Sequence, residues 1–185
     1  MAKGQAERLM PLIAEVMAAG GAALPDLDAI GVGIGPGNFT GIRISVSAAR
    51  GLALALDIPA VGVTILEALA LDMPRPLLAC LDARREHLYL QRFADGADRA
   101  PHLVACDDVA DWALPGLTII GDDAAALSAR LGAAHAPRPP SPAPAIARIA
   151  ALRRHEPDLP RPAPLYLRAA DAAPARDSGQ VMLAR

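Results

Sequence analysis

Gly31-Val32-Gly33-Ile34-Gly35-Pro36-Gly37-Asn38-Phe39-Thr40-Gly41-Ile42-Arg43 decides how the chain is read. Ile30–Ile34 is a short apolar strand, and Gly35–Asn38 is a turn. A helix follows over Thr40–Leu56, stopped by Asp57 and Pro59. Glycines ahead of a helix N-terminus invite a phosphate-binding reading. The spacing fails the G-x-G-x-x-G test, because the sixth position is Pro36 counted from Gly31 and Asn38 counted from Gly33. The ribose-binding acid is also missing, since Asp57 precedes the next strand instead of ending it. The stretch therefore reads first as a tight strand-to-helix turn, whose free backbone N–H groups leave weak anion binding open.

Upstream, Leu9, Leu12, Ile13, Val16 and Met17 recur at helical spacing over Glu7–Ala19, and Gly20-Gly21 ends that helix. Pro11 falls near the first turn, where it is tolerated. Downstream, Ala60–Val63 is a strand. Thr64 caps a helix over Leu66–Leu71, with Glu67 three positions on as in a capping box. Strand–helix–strand–helix order predicts an α/β fold with parallel strands. At Met73-Pro74-Arg75-Pro76 the grammar changes. Leu77–Leu81 and His87–Phe93 read as two strands joined by a turn at Asp82-Ala83-Arg84. A short helix over Asp107–Leu114, a strand Leu117–Ile120, a helix Asp122–Leu131 and a helix Ala145–Arg154 follow, with proline-rich loops between. The expected division is a first α/β lobe over 1–73 and a second over 74–185 that ends, beyond Arg168, in a loose tail.

Composition narrows the chemistry. Hydrophobic residues are 53% of the 185, enough for a real core, while aromatics are only 3%. A net charge of -2 gives no long-range pull toward nucleic acid. Seventeen of the 18 basic residues are Arg, and the single lysine, Lys3, excludes a P-loop. Cys80 and Cys106 form no C-x-x-C pair and read as reduced thiols. His87, His102, His135 and His155 are scattered, so no metal site and no metallopeptidase motif is expected. No G-x-S-x-G elbow occurs. Asp82 reads as a carboxylate bonding its own backbone, and Tyr166 as a core residue with a satisfied hydroxyl. No catalytic residue, cofactor or metal is assigned. Glu7 and Arg8 stand where a signal peptide would be apolar, and no membrane span is expected, so the location is read as cytoplasmic.

The helix after the turn carries rows of small residues, Gly41, Ser45, Ala49 and Ala53 beside Ser47, Gly51 and Ala55. Such rows let another helix approach closely. Two readings stand at this point: the helix packs on its own sheet, or one face meets a partner helix.

The string Gly35-Pro36-Gly37-Asn38-Phe39-Thr40-Gly41-Ile42-Arg43 resembles the signature of the TsaB family, with Asn38 where serine is usual and Ile42 where valine is usual. The similarity continues in order through Gly51-Leu52-Ala53-Leu54, Val61–Ala68, Leu81-Asp82-Ala83-Arg84 with Tyr89, and Pro164-Leu165-Tyr166-Leu167-Arg168. The family motif falls on Gly35, Pro36, Gly37, Phe39, Thr40, Gly41 and Arg43. The resemblance implies an actin-like, sugar-kinase-like fold of two lobes. It also implies a non-catalytic subunit in the making of threonylcarbamoyladenosine on tRNA. In that system TsaD performs the transfer, TsaE joins the complex as an ATPase, and tRNA is met only through the complex. The first-lobe helices are the contact with TsaD or, when alone, with a second copy. On this chain that face is expected at Leu9, Leu12, Ile13, Val16, Gly41, Ser45, Ala48, Ala49 and Leu52. Family members begin with three strands, the first carrying aspartate-threonine, in roughly 30 to 40 residues. Here the sequence starts at the following helix, so an incomplete first lobe with an open sheet edge is expected. The rival reading is a stand-alone ATP-binding phosphotransferase or hydrolase of the same fold.

Overall fold

Val32 is buried because two parallel strands and a helix close over it. The computed structural model describes residues 4–168, so the tail expected beyond Arg168 lies outside the described residues. β1 (Ile30–Gly33) pairs in parallel with β2 (Ala60–Val63), Val32 opposite Gly62. Helix α2 (Phe39–Leu56) covers one face of β1, burying Ile42, Val46 and Ala49 against Val32. Helix α5 (Ala143–Arg153) covers the other face through Ile146, Ile149 and Ala150. Glycine at position 31 is what lets α5 sit there. A Cβ on Gly31 would lie 2.9 Å from the Ala150 Cβ and 3.0 Å from the Ile146 carbonyl oxygen. The glycine pattern that suggests a phosphate cradle thus serves, in part, a close helix–strand contact. Among the described residues β1 pairs only with β2, which leaves its other edge open.

Helix α3 (Ile65–Ala70) starts at Thr64, whose hydroxyl accepts the Glu67 N–H at 3.0 Å. It leads through Pro74 and Pro76 to a second sheet. That sheet is ordered β5-β4-β3-β6-β7: β3 (Leu77–Arg84), β4 (His87–Phe93), β5 (Arg99–Ala105), β6 (Thr118–Gly121) and β7 (Ala134–Ala136). β3 is central and buried on both faces. Leu78 and Cys80 point into a cluster with Leu90, Val109, Trp112, Ile119 and Leu127, closed by the 3-10 turn Cys106–Trp112 and by helix α4 (Ala124–Leu131). Trp112 is the single tryptophan of the chain. Leu77, Ala79 and Leu81 point the other way, onto Leu66 and Leu69 of α3. Each fully buried leucine here contributes roughly 1.5–3 kcal/mol of transfer free energy.

Several expectations are corrected. The hairpin turn lies at Arg85-Glu86, not at Asp82–Arg84, because β3 runs on to Arg84. Arg84, Arg85 and Glu86 all have positive φ, at 60°, 51° and 57°. A two-residue hairpin requires that conformation, and here it is filled without glycine or asparagine. β5 and β7 were not expected. β5 carries Pro101, which an edge strand tolerates, beside a register shift between Leu90 and Arg92. β7 is only three residues long. Helix α1 (Gln5–Ala19) lies against α2 and buries none of its residues.

Candidate functional site

The glycine turn is built from its backbone outward. The Ile34 N–H donates to the Val63 carbonyl, and the Gly35 carbonyl accepts from Ile65 N–H at 2.8 Å, which fixes the turn to the start of α3. Gly35 has φ of 102° and joins Pro36 through a cis bond. Asn38, the residue that departs from the usual serine, is the N-cap of α2: its side-chain oxygen accepts from Gly41 N–H at 2.8 Å. Phe39 then projects onto Tyr166, ring centroids 4.6 Å apart and stacked. Arg43, one turn further along α2, lies 4.0 Å over the Phe39 ring and donates from Nε to the Tyr166 hydroxyl at 2.8 Å. Tyr166 is 42% exposed, so its expected core position is corrected: it caps a surface stack.

A cleft of about 640 Å³ separates this turn from the β3–β4 hairpin. Pro36, Asn38 and Phe39 line one wall, and Asp82, Arg84 and Asp122 line the other. Its carboxylates are held by backbone N–H groups and by Arg138. Asp82 accepts from the Arg84 N–H at 2.7 Å, as expected of a carboxylate bonding its own backbone, and Asp122 accepts from Asp82 N–H at 3.1 Å while pairing with Arg138. Cys80, beneath this wall, donates to the Asp122 carbonyl. Burial, and then the charge of Asp123, pushes its thiol up to about 12, which keeps it from being a nucleophile. Among the described residues no group of three His, Cys, Asp or Glu side chains is placed to hold a metal ion.

The second feature is the outer face of α1 and α2. Met10 is 47% exposed, Val16 62% and Leu54 85%. Leu12 is also exposed, and Leu9, Ile13, Gly41, Ser45, Ala48 and Leu52 are half-buried. The N-termini of the two helices meet, Gln5 lying against Gly41. Ala49 leaves this set: it is buried against Val32 and Val46, because the every-fourth-residue row winds from the outer to the inner face of α2. Leu54 and Met10 were missed, although their helical positions beside Gly51 and Ile13 were readable. The motif residues Gly35, Pro36, Gly37, Phe39, Thr40, Gly41 and Arg43 do form one turn and helix start, with Thr40 exposed.

Residues 1–162 match the family model described as TsaD, tRNA N6-adenosine threonylcarbamoyltransferase. An uncharacterized protein of Mycobacterium tuberculosis is 37% identical over 175 residues, covering 94% of this chain and 79% of that protein. The tRNA threonylcarbamoyladenosine biosynthesis protein TsaB of Escherichia coli is 36% identical over 88 residues, covering 45% of this chain and 38% of that protein. The solved structure of YeaZ from Pseudomonas aeruginosa superposes with a TM-score of 0.62 at 26% identity, covering 88% of this chain and 84% of that one. The fold is therefore of the actin-like, sugar-kinase-like α/β kind. With its family signature on one turn and helix, the chain belongs to the TsaD family, and within it to the TsaB/YeaZ type.

Proposed function

We propose that this chain is a non-catalytic subunit in tRNA threonylcarbamoyladenosine biosynthesis, binding and supporting TsaD through the outer face of α1 and α2. The observation that carries the reading is the uncovered apolar surface of those helices. Of the 18 residues of α2 only Ile42, Val46, Ala49 and Ala53 are fully buried in this chain, and Leu54 is exposed. α1 fully buries none of its residues and exposes Met10, Leu12 and Val16 beside it. Half-buried Gly41, Ser45 and Ala48 permit close backbone approach, while the larger side chains supply apolar area. The same face serves a homodimer when TsaD is absent. TsaE and tRNA are met through the complex, in the cytoplasm. Two lobes complete the reading, the chain crossing to the second near Met73–Pro76 and returning to the first with α5, which packs on the first sheet and not, as expected, in the second lobe. Its support is that each sheet is hydrogen-bonded within itself.

Size-exclusion chromatography with light scattering, with and without TsaD, tests the surface. Ser45→Arg puts a long cation into the seam, and Val16→Glu puts an anion on a position that is already exposed, sparing the fold. Burying either charge unpaired costs roughly 2–5 kcal/mol, enough to dissolve a micromolar complex. Folded variants that still bind TsaD as tightly as the wild type would place the partner elsewhere.

A further inference from the structure

Residues 165–168 line the cleft, and consecutive residues grip opposite walls. The Leu165 N–H donates to the Ile34 carbonyl at 2.8 Å, beside the glycine turn. Tyr166 stacks on Phe39 and accepts from Arg43, both on α2. The next two residues belong to the other wall. Leu167 packs against the cluster of Leu77, Leu81 and Tyr89, and the Arg168 guanidinium reaches the Arg84 carbonyl at 3.4 Å. Four residues thus tie the first sheet to the tip of the β3–β4 hairpin. That tip is the strained part of the second sheet, with three successive non-glycine residues at positive φ.

Among the described residues the two sheets are also joined at helix α3 and where the chain returns from β7 to α5 on the first sheet. The packed joint at α3 and the crossing segment differ in kind. Helix α3 packs Leu66 and Leu69 into the second sheet's cluster and Ala68 into the first sheet's. Leu66 is fully buried, so this joint opens only with the core. At the crossing segment the holding side chains, Arg43 and Tyr166, are exposed. Water competes for their contacts, so this joint is the one that opens without unfolding.

We propose that segment 164–168 is a latch, with the Arg43–Phe39–Tyr166 stack as its clasp, that sets the width of the cleft between the glycine turn and the β3–β4 hairpin. Arg43 and Tyr166 are positioning residues in this device. The device links α2 to the hairpin whether or not a partner sits on α2, so it stands independently of the docking surface.

Spin labels at Thr40→Cys and Glu86→Cys, in a Cys106→Ser background, measure the width in the full chain; buried Cys80 stays unlabelled. With the clasp intact, pulsed dipolar spectroscopy should give one narrow distance distribution. Tyr166→Ala should lengthen and broaden it, while Tyr166→Phe, which keeps the stack, should stay closer to wild type. In parallel, amide exchange at Leu165, Ile65 and Arg84 should rise together by roughly tenfold in Tyr166→Ala. Exchange at the central β3–β4 pair, Cys80 and Leu90, should not change. An unchanged distance distribution overturns the proposal. So does faster exchange confined to Leu165, or faster exchange that includes Cys80 and Leu90.

Discussion

At residue scale, two glycines of similar appearance have opposite meanings. Gly31 is held open for the α5 backbone, and a methyl group there would meet the Ile146 carbonyl at 3.0 Å. Gly51 lies in the middle of α2 with nothing within 4 Å of its Cβ position. Gly31→Ala should cost about 1–3 kcal/mol through overpacking. Gly51→Ala should stabilise by about 0.5–1 kcal/mol through helix propensity. Urea denaturation of both variants checks the signs; the same sign for both would refute the packing account. Local chemistry of this kind was partly legible in the sequence. Thr64 reads as a cap because its acceptor and the Glu67 N–H are three positions apart. The Arg43–Tyr166 contact was not legible, since its partners lie 123 positions apart and only the folded chain brings them together.

At element scale, β4 and β2 were readable to the residue, and the strands that escaped notice share a cause. β5 lies at the sheet edge and has an uneven burial pattern, so no clean alternation marks it. β7, at the opposite edge, is too short to carry a period. The hairpin turn was misplaced for a related reason. Turns at positive φ are recognised by glycine or asparagine, and Arg85-Glu86 offers neither. Glu86→Gly should therefore relieve a left-handed residue and raise stability by up to about 1 kcal/mol, after the entropic cost of glycine is subtracted. Thermal unfolding compared with wild type measures it. A lower melting temperature would mean that the Glu86 side chain holds the tip by contacts that outweigh the relief.

At the scale of the whole molecule, alternating strands and helices before Met73 and a hairpin after Pro76 were enough to anticipate α/β architecture. The five-stranded order was not, because two of its strands left no pattern. Trp112 has a consequence for anyone who follows this molecule in solution. It is the single indole, 5% exposed, packed in the second sheet's cluster with the Arg99 guanidinium 5.1 Å from its ring. Its emission is a local gauge, blind to β1, β2, α1 and α2. Far-ultraviolet circular dichroism, in contrast, averages over every helix. If the two halves melt as separate cooperative units, the ellipticity curve in urea should begin to fall before the emission maximum shifts red, since the half with the open β1 edge has less cover. Superimposable curves would make the chain one cooperative unit. A single buried fluorophore thus turns an ordinary denaturation titration into a readout of one half against the whole.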